Sequence, residues 1–221
     1  MNQQPDPGPS YAAELARKAI HLCSLSIPVI YYFIPKSTAL SILIPLTALV
    51  FLVDITRFLY PPIRSLFELL FGWLLRPHET DADARRLTGA TYVLLSAVVC
   101  VWLFPKVIAI TAFAILIISD TSAALVGRKF GRHRFLRKSL EGASAFLASA
   151  LVVVAVSPKI GYLPAEYAIG GLAAVGGTLV ESIASAVDDN LLVPLTVGVL
   201  MWLLYILLLP QINVFGLDIQ P

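Results

Sequence analysis

The sequence predicts an all-α, polytopic membrane helix bundle of about seven transmembrane helices with its N-terminus in the cytoplasm. Three observations predict it. Hydrophobic residues make up 58% of the 221-residue chain and charged residues 14%, with a mean hydropathy of +0.83. A soluble domain carries about a quarter charged residues, because its surface must be wetted. The apolar residues fall in runs of membrane-spanning length, most of them divided by prolines. The 16 Lys and Arg residues are distributed very unequally between the two ends of these runs. An ordinary cytosolic domain and a disordered chain are thereby excluded, and a net charge of +2 gives no reason to expect a nucleic acid partner.

Residues 1–13 open polar and proline-rich and read as a disordered tail, without the cleavage pattern of a signal peptide. Spans are expected at 19–34, 38–59, 87–104, 107–126, 140–157, 167–187 and 191–209, within one transmembrane domain over 14–209. Pro35, Pro61, Pro62, Pro77, Pro105, Pro158 and Pro164 fall between them. Residues 63–75 are too few to cross and carry Arg64 and Glu68, so they read as a helix lying in the interface. Residues 210–221 form a C-terminal tail. Cys23 and Cys100 sit in apolar runs and read as buried free thiols.

The basic residues set the orientation. Arg17 and Lys18 precede the first span. Arg57, Arg64, Arg76, Arg85 and Arg86 separate the second and third. Arg128, Lys129, Arg132, Arg134, Arg137 and Lys138 separate the fourth and fifth. Only Lys36, Lys106 and Lys159 fall on the other side, so the crowded side is expected to be cytoplasmic.

His21, Asp54, Arg57, Asp120, Glu141, Glu181, Asp188 and Asp189 all belong to the cytoplasmic half of this arrangement, and the outer half is expected to be almost free of charge. A carboxylate at the centre of a membrane helix costs about 2.5–3.5 kcal/mol on insertion scales, so Asp120 and Glu181 point to a polar cavity. Asp54 and Glu141, near helix ends, reach the interface equally well. Asp120, Ala124 and Gly127 share one helical face. Carboxylates from two facing helices suit a hard cation such as Mg²⁺.

Residues 127–142 hold six cations, His133 and the glycines Gly127, Gly131 and Gly142. Glycine lets backbone amides close on an anion, and Arg and Lys neutralise phosphate. The same composition suits a positive-inside loop against anionic lipid. The neighbouring acids favour a metal–nucleotide site, since phosphoryl transfer rests on positioning and electrostatics. No P-loop or protein-kinase motif is present. Lys18 and His21 share a helical face, suited to a phosphate and a proton, or to a snorkelling lysine and an interfacial histidine. Arg86 and Thr88 suit a phosphate contact, or a stop-charge and a helix cap.

The segment from Asp120 through Gly127-Arg-Lys-Phe-Gly131-Arg132 to Lys138-Ser-Leu-Glu-Gly142 resembles the CTP-using membrane lipid enzymes. These are the dolichol, phytol and CTP-dependent diacylglycerol kinases and the phosphatidate cytidylyltransferases. Arg17-Lys18-x-x-His21, Arg86-Leu-Thr-Gly89 and Glu181 followed by Asp188-Asp189-Asn190-x-x-x-Pro194 extend the resemblance over about residues 15–195. It implies an enzyme dependent on CTP and Mg²⁺ that acts on a lipid from the bilayer. The small size, the early RKxxH and the DDNxxxP favour the polyprenol and phytol kinases. Carried over, the resemblance makes Asp120, Asp188 and His21 catalytic. Asp120, Glu181, Asp188 and Asp189 become metal ligands. Lys18, Arg86, Gly127, Arg128, Gly131, Arg132, Lys138, Ser139, Glu141, Gly142 and Asn190 become the nucleotide site. The expected reaction moves the γ-phosphate of CTP to a lipid alcohol. The alternatives are cytidylyl transfer to phosphatidate and, less favoured, a transporter or lipid-binding protein, which would more often show an inverted repeat.

Overall fold

Pro28 sets the first departure from the expected spans. Its ring offers no N–H and crowds the carbonyl four residues back. The chain therefore turns at Ser24 and Leu25, whose amides donate to His21 O and Leu22 O at 3.0 Å each, and the span expected at 19–34 is two short helices. The computed structural model describes residues 11–75, 87–184 and 188–216, with the side chains of 11–14 left aside. Of the tail expected at 1–13, residues 1–10 lie outside the described residues, and 11–13 are the start of a helix.

The elements run α1 (Tyr11–Cys23), α2 (Ser26–Phe33), α3 (Lys36–Leu59), α4 (Pro61–Phe71), α5 (Gly89–Leu103), α6 (Lys106–Phe130), β1 (Arg134–Phe135), β2 (Lys138–Ser139), α7 (Leu140–Val156), α8 (Pro164–Ile183) and α9 (Asp189–Leu208). This is an all-α membrane bundle. Three helices, α3, α6 and α9, are long and apolar enough to cross a membrane by length and composition, and α5 and α7 are apolar but shorter. The 25 residues of α6 extend about 37 Å, more than a bilayer core. Cys100 is buried as expected, but Cys23, at the end of α1, is exposed.

Helix α6 is the axis of the molecule. Of its apolar window 83% is buried, against 22% for α3 and 33% for α9. It packs chiefly on α7 and α9. Apolar side chains on the outward faces of α3 and α9, such as Ile42, Leu49, Leu203 and Leu207, are exposed. That is the pattern of a lipid-facing surface rather than a wetted one. Glycines set the helix separations on α8. A Cβ at Gly170 would stand 2.5 Å from Val154 Cγ1 on α7, and one at Gly177 would stand 2.7 Å from Val197 Cγ2 on α9. Helix α4 exposes Leu66, Leu69 and Leu70, while Arg64 Nε donates to Glu68 Oε1 at 2.7 Å one turn apart. It has the two faces expected of an interfacial helix.

Helices α7, α8 and α9 alternate in direction, so the bundle has two polar ends. At one end, residues 157–163 join α7 to α8. There Glu166 is fully buried and accepts from Ile160 N at 2.8 Å, from Gly161 N and Leu163 N at 2.9 Å, and from Tyr205 Oη at 3.0 Å. Beside it Lys159 Nζ donates to Val154 O at 2.6 Å and Ser157 O at 2.7 Å, closing the carbonyl end of α7. Burial lowers the Lys159 ammonium below the ordinary lysine range, against the pull of Glu166. A buried acid thus stands at this end of the bundle. The physical reason is that local donors satisfy the acid completely, which removes the penalty of burying it. Pro164 at the start of α8 and Glu166 two residues later form a helix-start signal that was open to reading in the sequence.

Asp54 belongs to a second closed cluster. Its Oδ2 accepts from Thr88 N at 2.7 Å, Thr88 Oγ1 at 2.9 Å and Thr91 Oγ1 at 2.6 Å, and Arg57 Nε lies 3.0 Å from Oδ1. These bonds tie α3 to the start of α5. The Thr88 hydroxyl is directed at Asp54, and caps no amide of its own helix.

Candidate active site

At the other end of the bundle, α6 changes character. After an apolar run it presents Asp120, Ala123, Ala124 and Gly127 along one face. With Arg128, and with Lys18 of α1, Lys138 and Ser139 of β2, Gly142 of α7, Glu181 of α8 and Asp189 of α9, they line a cavity of about 360 Å³. The small residues make this convergence possible. A Cβ at Gly142 would stand 3.2 Å from Ala123 O and 3.4 Å from Gly127 Cα, so α6 and α7 approach closely only because both lack a side chain there. The β1–β2 hairpin, with Phe135 opposite Lys138, then turns Lys138 back over the crossing.

The charges in the cavity are arranged in pairs. Lys18 Nζ lies 2.5 Å from Asp120 Oδ2, and His21 Nε2 lies 3.6 Å from the same oxygen. Lys138 Nζ bridges two helices, 2.5 Å from Glu181 Oε1 and 3.2 Å from Asp189 Oδ2. Burial works against the Lys138 charge, but Asp189 and Glu181 outweigh it and hold the ammonium above the ordinary lysine range. Ser139 caps α7, its Oγ accepting from Gly142 N at 3.1 Å. The positive end of the α7 dipole thus opens on the same cavity.

The remaining expected site residues fall around this centre. Gly131 N donates to Gly127 O at 2.9 Å, Gly142 N is engaged by Ser139, and among the described residues no glycine has a positive φ. The expected cradle of glycine amides is therefore not what these glycines form. They permit close approach, and the cationic side chains carry the capacity for an anion. Arg132 is exposed on the hairpin. Glu141 accepts from His133 Nδ1 at 2.7 Å and from His133 N at 3.2 Å, tying the hairpin to α7 outside the cavity lining. Asp188 caps α9, its Oδ1 accepting from Asn190 N at 3.0 Å and from Asn190 Nδ2 at 2.5 Å. Neither Asp188 nor Asn190 is part of the lining, but their bonds fix where Asp189 starts the helix. Arg86 lies outside the described residues.

Asp120, Glu181 and Asp189 bring carboxylate oxygens to one cavity, the donor chemistry a hard divalent cation requires. Among the described residues no three acidic, His or Cys side chains already converge as a cation site. Lys138 stands between Glu181 and Asp189.

No family model matches the chain, and no solved structure does. Among curated proteins, the uncharacterized protein RP860 of Rickettsia prowazekii is 31% identical over 186 residues, which cover 83% of this chain and 90% of that protein. A phytol kinase of Synechocystis is 39% identical over 89 residues, 38% of each chain. The CTP-dependent diacylglycerol kinase 1 of Schizosaccharomyces pombe is 30% identical over 80 residues, 36% of this chain and 35% of that one. The matches to these two kinases span little more than a third of either enzyme. The chain therefore belongs to the family of the Rickettsia protein RP860, and over part of its length it is a relative of membrane lipid kinases.

Proposed function

We propose that this protein is a lipid kinase of the cytoplasmic membrane of a prokaryote. It transfers the γ-phosphate of CTP to the hydroxyl of a phytol- or polyprenol-type alcohol, or of diacylglycerol, at the cytoplasmic face. The observation that carries the reading is the single cavity in which Lys18, Lys138 and Arg128 stand beside Asp120, Glu181 and Asp189 within a membrane bundle. The names of the partial relatives, a phytol kinase and a CTP-dependent diacylglycerol kinase, support the class of reaction and the donor.

In this reading the lysines, Arg128 and the α7 N-terminus bind and orient the phosphates. Asp120, Glu181 and Asp189 would hold Mg²⁺, which would supply neutralising charge for the donor phosphates. The acceptor enters sideways from the bilayer. Its hydroxyl oxygen forms a bond to the γ-phosphorus as the bond to the β-phosphate oxygen breaks, and CDP leaves. Asp120 takes the hydroxyl proton, with His21 beside it to pass that proton on. Asp188 and Asn190 act by positioning Asp189.

The test incubates purified protein with Mg²⁺, phytol, polyprenols, diacylglycerol and phosphatidate, and with CTP labelled at the γ- or the α-phosphate. Label reaching lipid from γ-labelled CTP supports the kinase and identifies its acceptor. Label from α-labelled CTP replaces it with a cytidylyltransferase. Label from neither, with folded protein, rejects the reading in favour of a transporter or lipid-binding role.

A further inference from the structure

Lys138 joins distant parts of the bundle. It lies on a two-residue strand and reaches two acids that are 43 and 51 residues away, on separate helices. Lys18 likewise reaches Asp120 across 102 residues. Each lysine stands against one oxygen of every carboxylate it meets, in the place a divalent cation would take. Asp120 and Glu181 are largely shut off from solvent, at 11% and 3% side-chain exposure, so an incoming ion cannot draw on water to replace these partners.

We propose that Lys138 is a built-in counter-ion which keeps a divalent cation off Glu181 and Asp189 until nucleotide phosphate draws the ammonium away. This rests on the nucleotide–metal reading above, and adds how the cation is admitted. A bare divalent cation meets the Lys138 ammonium between Glu181 and Asp189 and is repelled. The metal–nucleotide complex exchanges both sets of partners together. Its cation takes the carboxylates, and its phosphates take the released lysine. The four-carbon stem of lysine allows the ammonium to swing between these partners.

The exchange predicts reciprocal coupling between cation and nucleotide. The probes are Mn²⁺ alone, CTP alone with chelator, and both together, titrated onto the full chain in detergent. Bound Mn²⁺ is read by electron paramagnetic resonance, and turnover is not needed. After the Mn²⁺ held by free CTP is subtracted, wild-type protein is expected to bind Mn²⁺ at least tenfold more tightly when CTP is present, and CTP at least tenfold more tightly when Mn²⁺ is present. Lys138→Met is expected to bind Mn²⁺ alone at least tenfold more tightly than wild type and to lose the coupling. Should that variant not fold, Lys138→Gln is read in the same way. Mn²⁺ binding to wild type that is equally tight with and without CTP overturns the counter-ion role and leaves the nucleotide site standing. Equal Mn²⁺ affinity in wild type and folded Lys138→Met overturns it in the same way. Absence of CTP binding even with Mn²⁺ overturns the nucleotide reading, and this inference with it.

Discussion

Glu166 and Asp120 are both carboxylates buried in the same bundle, and they are held in opposite ways. Glu166 is surrounded by neutral donors, three of them backbone amides within six residues of it and the fourth the Tyr205 hydroxyl. Its lone pairs are filled by the chain itself, in a pattern that fixes the α7–α8 connection. Asp120 meets Lys18 and His21 from another helix, beside a cavity. Glu181 and Asp189 meet the one ammonium of Lys138. Neutral local donors make a buried acid a structural fixture. Distant cations next to open volume leave an acid whose partner can be exchanged for a ligand's charge.

The largest effect should come from the cavity end. Glu181→Gln keeps the shape and removes a charge, and turnover should fall about 10²–10³-fold, the loss typical when one electrostatic contact to a transition state is deleted. Thermal stability should change little, which calorimetry on the same sample would check. Glu166→Ala should give the reverse. Three backbone amides lose their acceptor at about 1–3 kcal/mol each, so a loss of at least about 3 kcal/mol is expected in chemical unfolding, with turnover per folded molecule retained.

The two lysines sharpen the comparison through pH. Lys138 is held above its ordinary value of 10.5 by Asp189 and Glu181, so its contribution to stability is complete below pH 10.5 and is lost as the pH climbs through its raised value. Lys159 is held below 10.5 by burial, so stability rises with pH between its lowered value and 10.5. Unfolding profiles of Lys138→Met and Lys159→Met between pH 8 and about 12 should therefore depart from wild type with opposite slopes. The smallest effect belongs to α4. Arg64 and Glu68 are each 39% exposed, and Arg64→Ala should shift stability by no more than about 0.5 kcal/mol in the same unfolding assay.

The sequence made the cavity end legible and the opposite end obscure. Asp120 and Glu181 stand out because a charge inside an apolar run has few explanations. Lys138 and Ser139 stand out because glycines and cations cluster around them. What spacing could not show is which charges pair, since Lys18 and Asp120 lie 102 residues apart and only the bundle brings them together. Asp188 and Asp189 are neighbours with the same chemistry, yet one caps α9 and the other, as its first residue, lines the cavity. Pro164 and Glu166 marked a helix start, but the full burial of Glu166 was hidden because its partners are backbone amides, which carry no mark in a sequence. The break between α1 and α2 was written in Pro28, but an apolar run reads as continuous when only its hydropathy is weighed.

The most direct measurement is phosphate transfer by Asp120→Asn, made on the same preparation as its melting temperature. The account predicts that lipid labelling from γ-labelled CTP disappears while the melting temperature stays at or near that of wild type. Near-normal labelling by the folded variant would contradict it, and would leave Asp120 with the same structural standing as Glu166.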